Sequence, residues 1–89
     1  MNSSEIIVTL NSQNGLHARP AGLLAKLASQ FQSKVDLIVN GNIKNGKSIM
    51  SLMSLGLKGG ESILIKAEGE DSSQATEAIK KLFESQFQE

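Results

Sequence analysis

The fold is decided by the stretch Gly15-Leu16-His17-Ala18-Arg19-Pro20-Ala21, which holds the only histidine and the only proline of the chain. Proline has no N–H group and a fixed φ angle, so within a helix it fits the first turn, where the N–H groups have no intrahelical partner. The stretch therefore predicts that a helix starts here, with His17 at or near its N-cap. Leu24, Leu27, Ala28 and Phe31 follow at helical spacing, so we expect an amphipathic helix that ends between residues 29 and 33.

The chemistry of this helix start depends on His17 and Arg19. Backbone N–H groups and the positive end of the helix dipole favour an anion beside the imidazole and disfavour imidazolium, which leaves a ring nitrogen free as a nucleophile. The planar guanidinium of Arg19 suits phosphate or carboxylate oxygens. A plain helix cap with a solvated arginine is about equally compatible with this spacing. A metal site is not expected, because the chain has no cysteine and no second histidine.

Length and charge limit the classes of function. Eighty-nine residues allow one small domain, residues 1–89, with a single two-layer core. Nine basic and nine acidic residues give no net charge, which argues against direct binding of nucleic acid. Basic residues prevail between positions 17 and 58 and acidic ones after position 68. An acidic or phosphorylated protein partner would explain this asymmetry, and so would two independently solvated regions.

The sequence gives no reason to expect export or insertion into a membrane. It has no cysteine, a polar amino terminus, and apolar runs well short of the roughly 20 residues that a membrane span needs. We therefore expect a cytoplasmic protein without membrane insertion. The protein is also expected to be a monomer.

The remaining elements follow from local patterns. Residues 5–10, 35–39 and 62–67 alternate as strands, and Asn40-Gly41 predicts a tight hairpin to a strand around Ile43. Asn11 to Gly15 is expected to be a loop, and Gly59-Gly60 a turn. A short helix is expected from Ser48, its N-cap, to a stop at Gly56. Asp71 is expected to start the last helix in a capping box with Gln74. The order β-α-β-β-α-β-α predicts a two-layer α+β domain, with the other sheet face exposed or covered by a partner.

The short helix carries more apolar surface than one side of it can bury. Leu52 and Leu55 can face the core, which leaves Ile49, Met50 and Met53 partly outside as a surface that fits several partners. The alternative is that all five residues are core. Ser48 is either an ordinary cap or a site where a phosphate would add about two negative charges beside these apolar residues.

The motifs GLHARPA and KSIMSLMSLG, about 30 residues apart, together resemble those of HPr, the histidine-containing phosphocarrier family of the bacterial sugar phosphotransferase system. The resemblance covers essentially the whole chain. It implies an open-faced sandwich, a four-stranded antiparallel sheet covered on one face by three helices. It also implies that His17 accepts a phosphoryl group on Nδ1 from phosphoenolpyruvate-charged enzyme I and passes it to sugar-specific IIA domains. Such a protein is a carrier rather than an enzyme, and it needs no cofactor.

The resemblance implies further roles. Arg19 matches the active-centre arginine, and Ser48 matches the serine that HPr kinase/phosphorylase phosphorylates. The partner-binding residues it implies are Ile49, Met50 and Met53, with Lys26 and Lys47 as a basic rim. It places the helices that start at His17 and Ser48 side by side, so that one partner surface would cover both starts. The alternative function is a regulatory module that binds a catabolite-control transcription factor through phospho-Ser48.

Two glycines depart from the family pattern. Gly22 lies where alanine or threonine is usual, and Gly46 where a larger apolar residue commonly precedes the lysine-serine pair. Each is expected to loosen the local backbone.

Overall fold

The computed structural model describes residues 2–10, 16, 18–55 and 60–87. Outside these residues lie His17 and three predicted features, namely the loop at Asn11–Gly15, the helix stop at Gly56 and the Gly59 half of the predicted turn. The described elements are β1 (Ser3–Thr9), α1 (Ala18–Ala28), β2 (Lys34–Val39), β3 (Asn42–Asn45), α2 (Ile49–Met53), β4 (Ser62–Glu68) and α3 (Ser72–Glu84). This order confirms the predicted β-α-β-β-α-β-α arrangement.

The four strands form one antiparallel sheet in the order β1-β4-β2-β3, so β4 and β2 are central and β1 and β3 are the edges. Alternate residues of the two central strands are buried, as the period of two requires when one face of a sheet is covered. The three helices cover that face, and the predicted open-faced α+β sandwich is confirmed. The hairpin from β2 to β3 turns at Asn40 and Gly41, with φ angles of 52° and 82°. Positive φ at both turn positions is the reason why the Asn-Gly pair predicts this hairpin.

The core lies between the helices and the covered face of the sheet. Pro20 lies in the first turn of α1, as predicted, and is buried together with Ala21, Leu24, Ala25 and Ala28. Leu27 and Phe31, predicted for the same face, are partly buried and pack at the margin of the core. In α3 the buried apolar residues are Ala75, Ile79 and Phe83.

The start of α3 differs from the prediction. Asp71 occupies the N-cap position, but its carboxylate makes no capping hydrogen bond, so the predicted capping box with Gln74 is wrong. The carboxylate instead accepts hydrogen bonds from the N–H groups of Gln32 and Ser33, at 2.8 and 2.9 Å, and from the Ser33 hydroxyl. Asp71 therefore ties the start of α3 to the turn that follows α1, a contact across 38 positions that the local sequence does not indicate.

The two unusual glycines have opposite surroundings. A Cβ atom on Gly22 would meet nothing within 4 Å, so this glycine only adds backbone freedom inside α1. A Cβ atom on Gly46 would lie 2.7 Å from Cγ1 of Val35 and 3.2 Å from Cδ1 of Leu37, and the Gly46 N–H donates to the Val35 carbonyl at 2.7 Å. The missing side chain of Gly46 thus permits a tight approach to β2, which the local sequence does not indicate.

Candidate functional site

The first part of the candidate site is the start of α1. The helix begins at Ala18, directly after His17, which lies outside the described residues. Leu16 and Pro20, on either side, are both buried. The chain is thus attached to the core one residue before and three residues after the candidate nucleophile, while Ala18 and Arg19 are exposed.

Arg19 is held by the other end of the chain. Its Nη1 donates a hydrogen bond of 3.2 Å to the backbone carbonyl of Phe87, which follows α3. The rest of the guanidinium fork keeps further N–H donors, because a guanidinium has five. A positive group with several donors is therefore placed in the first turn of α1, where the helix dipole also favours an anion.

The Phe87 carbonyl reaches Arg19 because the chain turns sharply after α3. Gln86 and Phe87 both have left-handed backbone angles, with φ of 56° and 64°, and the Phe87 N–H donates to the Leu82 carbonyl at 3.0 Å. The Phe87 ring is buried and meets the Phe83 ring edge to face, with centroids 4.8 Å apart. The spacing of these two phenylalanines could have suggested a shared face. Nothing in the local sequence predicts the left-handed turn that aims the carbonyl at Arg19.

The second part of the site is α2, which begins as predicted. Ser48 is its N-cap, with extended backbone angles, and its Oγ accepts a hydrogen bond from the Ser51 N–H at 3.2 Å. Ser48 is half-buried, and its hydrogen bond to the Ser51 N–H is partly buried as well. Leu52 and Leu55 are buried, as expected. Met50 is 80% exposed, and Ile49 and Met53 are each 46% exposed. The alternative that all five apolar residues are core is therefore wrong.

The two lysines of the expected basic rim lie near the C-terminal end of α1. Lys26 is exposed in the last turn of the helix. The Lys47 ammonium donates a 2.8 Å hydrogen bond to the carbonyl of Phe31, just beyond the helix end. Cations are favoured there because the last carbonyls of a helix carry partial negative charge. The Lys47 ammonium is thus engaged with the protein itself.

This position of Lys47 also determines where α2 starts. The two helices are in contact, which agrees with the side-by-side arrangement. However, the two residues before Ser48 are hydrogen-bonded beyond the C-terminal end of α1. The Lys47 ammonium donates to the Phe31 carbonyl, and the Gly46 N–H donates to the Val35 carbonyl. Arg19 lies at the opposite end, about 14 Å away along the helix at 1.5 Å per residue. The starts of α1 and α2 are therefore not adjacent, and a partner that covered both would have to span the length of α1.

Comparison with known proteins agrees with this fold. The family described as "PTS HPr component phosphorylation site" matches residues 4–85. The fold and this match thus define a phosphocarrier-type domain, and the chain belongs to the HPr family of the phosphotransferase system. Proteins of this family are carriers rather than enzymes in the usual sense.

Individual relatives are similar over most of the chain. The phosphocarrier protein HPr of Mycoplasma capricolum is 52% identical over 74% of this chain and 74% of its own length. That of Mycoplasma pneumoniae is 45% identical over 90% of this chain and 92% of its own. The crystal structure of HPr-C-His from Thermoanaerobacter tengcongensis superposes with a TM-score of 0.90 at 40% identity, covering 97% of each chain.

Nothing in the described part of the chain resembles a membrane span. Across residues 2–10, 16, 18–55 and 60–87, no helix combines the length and the hydrophobicity that crossing a membrane requires.

Proposed function

We propose that this protein carries phosphoryl groups on His17, which receives them on Nδ1 from enzyme I and passes them to sugar-specific IIA domains. In each transfer the new P–N bond at His17 forms as the bond between phosphorus and the donor breaks, and the reverse holds when the acceptor takes the group. Membership of the HPr family and the presence of the histidine in the GLHARPA motif support this assignment.

The observation that carries the proposal is the hydrogen bond that restrains Arg19, two residues after His17 in the sequence. The hydrogen bond to the Phe87 carbonyl restrains the guanidinium in the first turn of α1. A preorganised cation lowers the cost of holding a dianionic phosphoryl group, because less side-chain freedom is lost when the phosphate arrives. Positioning and charge do most of the work in phosphoryl transfer, and the donor and acceptor proteins would supply the rest of each site.

The partner surface is proposed to be the exposed side of α2 together with the start of α1. Ile49, Met50 and Met53 form an apolar area on the surface, and methionine side chains adapt to differently shaped partners. Lys26 and Arg19 would add positive charge along α1. Because enzyme I, IIA domains and HPr kinase/phosphorylase would all use this region, they should compete with one another.

Ser48 is proposed as a regulatory phosphorylation site. A phosphate there would keep the acceptor role of Oγ towards the Ser51 N–H and would place about two negative charges at the edge of the apolar area. The alternative function, binding of a catabolite-control transcription factor through phospho-Ser48, uses the same side chain and is compatible with the carrier role. We expect the protein to act in the cytoplasm, where these partners would meet it.

Incubation of the protein with enzyme I and phosphoenolpyruvate tests the carrier role. A carrier should gain one phosphate that is labile in acid and stable in base, the behaviour of phosphohistidine. If the protein gains no phosphate with charged enzyme I, but gains an acid-stable one with HPr kinase/phosphorylase and ATP, it is a regulatory module only.

A further inference from the structure

The sheet face opposite the helices carries a row of four apolar side chains that crosses every strand. Directly paired residues of neighbouring strands point to the same face. From one sheet edge to the other, the paired residues of the row are Ile43, Ile38, Leu64 and Ile7. The two at the edges, Ile43 and Ile7, are 64% and 72% exposed. Among the described residues, they are the large exposed hydrophobic side chains that lie outside α2.

Charged residues lie in register beside this apolar row. Two positions along the strands, Asp36 of β2 is paired with Lys66 of β4, and two positions further Lys34 is paired with Glu68. Within each strand the charges also meet, with Lys34 Nζ 3.7 Å from Asp36 Oδ2 and Lys66 Nζ 3.5 Å from Glu68 Oε1. At each of these two positions, a lysine on one central strand therefore lies opposite a carboxylate on the other.

This pattern is complementary to itself. A two-fold axis parallel to the strands, between β2 and β4, would lay the face of one copy on that of another and exchange the two central strands. Asp36 would then face Lys66 of the second copy, and Lys34 would face Glu68. In the apolar row, Ile38 would face Leu64 and Ile43 would face Ile7. All of these contacts would occur twice, as an isologous interface requires.

We propose that two copies of this chain associate through this open face of the sheet, with the two sheets packed about 10 Å apart and their strands within about 30° of each other. A second copy fits better than a nucleic acid or an anionic membrane, since those would require a face of one charge sign. The chain has no net charge, so no overall repulsion opposes the approach of two copies.

The association is expected to be weak. Four strands of up to seven residues make a face of roughly 19 by 23 Å, about half of the roughly 800 Å² that each partner buries in a stable complex. The expected monomer should therefore prevail in dilute solution and the dimer at high concentration. The helices lie on the other side of the sheet, so Arg19 and α2 would stay accessible in both states. The proposal is independent of the proposed function.

Sedimentation equilibrium from about 10 µM to about 1 mM tests the proposal. The average mass of the wild-type chain should rise with concentration towards twice the monomer mass. Asp36→Lys and Lys66→Asp should each shift association to at least tenfold higher concentration, because each homodimer would contain two contacts between like charges. An equimolar mixture of the two variants should associate again. In the mixed dimer the introduced lysine would face the introduced aspartate. The native Lys66 of the first variant would face the native Asp36 of the second.

Two further variants separate this face from the helix side. Ile43→Lys should block association, whereas Met50→Lys, the same change on an exposed residue of α2, should leave it unchanged. Circular dichroism of each variant checks that the monomer is folded. A wild-type chain that stays monomeric at about 1 mM would overturn the proposal. So would a mixture of the charge variants that does not associate, or association that Met50→Lys blocks and Ile43→Lys does not.

Discussion

Arg19 and Phe87 lie 68 positions apart in the chain and are joined by a 3.2 Å hydrogen bond from the Arg19 Nη1 to the Phe87 carbonyl. The bond exists because the Phe87 ring packs on Phe83 and the backbone at Gln86 and Phe87 turns into the left-handed region. A buried ring at the end of α3 therefore positions a cation at the start of α1.

Phe87→Ala should slow phosphoryl uptake on His17 about tenfold, because the carbonyl that restrains Arg19 loses the ring that fixes it. The free energy of unfolding should also fall by about 3 kcal/mol. Ile65→Ala is the matched control, since it removes a buried side chain from the core of β4 and should cost similar stability. Uptake rates are compared well below the melting temperatures. Phe87→Leu, which keeps a large apolar side chain, should largely restore the rate. If Ile65→Ala slows uptake as much as Phe87→Ala does, the positioning role of Phe87 is wrong.

Ser48→Asp should slow uptake from enzyme I, whereas Ser48→Ala should not. Ser48 lies near the far end of α1 from Arg19, and the helix between Arg19 and Ala28 is about 14 Å long at 1.5 Å per residue. This distance exceeds the screening length of roughly 8 Å at physiological salt, so a charge at Ser48 should act on the bound partner rather than on His17 directly. The effect should therefore appear as a higher KM of enzyme I for this protein, with a smaller change in kcat, and should shrink as salt is raised.

The stabilities of the same variants provide the control for folding. Ser48→Ala removes the acceptor for the Ser51 N–H and should cost about 1 kcal/mol, while aspartate is itself a good N-cap residue. Equal uptake rates for wild type, Ser48→Asp and Ser48→Ala at low salt would leave Ser48 as a helix cap without a regulatory role.

The stability of the protein should depend on the ionisation of Asp71. Hydrogen bonds from the Ser33 hydroxyl and from the N–H groups of Gln32 and Ser33 hold the pKa of the Asp71 carboxyl below its usual value. Because the folded pKa is the lower one, the carboxylate contributes stability above the unfolded pKa of about 3.9, and this contribution is lost as the pH falls through the folded pKa.

Asp71→Asn should therefore reduce the free energy of unfolding at pH 7, and the difference from wild type should narrow in acid. Urea unfolding at a series of pH values between about 7 and about 2 measures the difference in free energy of unfolding between wild type and Asp71→Asn. Glu77→Gln, on the exposed side of α3, is the control that removes a carboxylate without these bonds. A difference between wild type and Asp71→Asn that stays constant across this range would contradict the assignment.

The two unusual glycines should respond in opposite directions to the same substitution. Gly22→Ala should raise the free energy of unfolding by up to about 1 kcal/mol, because alanine favours the helix and its methyl group meets open space. Gly46→Ala should lower it by about 1–3 kcal/mol, because the methyl group would meet Val35 and Leu37 of β2. Thermal unfolding of both variants measures these changes in stability. A Gly46→Ala variant that is more stable than wild type would show that β2 moves at little cost to make room for the methyl group.

Local signals predicted most of this fold. The Asn40-Gly41 turn and the Ser48 cap each depend on neighbouring residues, so the sequence alone indicates them. For α2 the sequence left open whether Met50 lies outside the core, and the structure places it outside. The contacts that define the site depend on residues far apart in the chain. The local sequence predicts that the Asp71 carboxylate caps α3, whereas it binds the turn at Ser33. The distance between Ser48 and Arg19 depends on the hydrogen bond from Lys47 to Phe31.

The central claim is that His17 carries the phosphoryl group, and the most direct measurement is phosphate uptake from phosphoenolpyruvate-charged enzyme I by wild type, His17→Ala and Ser48→Ala. Wild type and Ser48→Ala should each gain one acid-labile, base-stable phosphate. His17→Ala should gain none while its melting temperature shows that it is folded, since loss of a capping residue costs at most about 2 kcal/mol. Uptake of an acid-labile phosphate by His17→Ala would contradict the account.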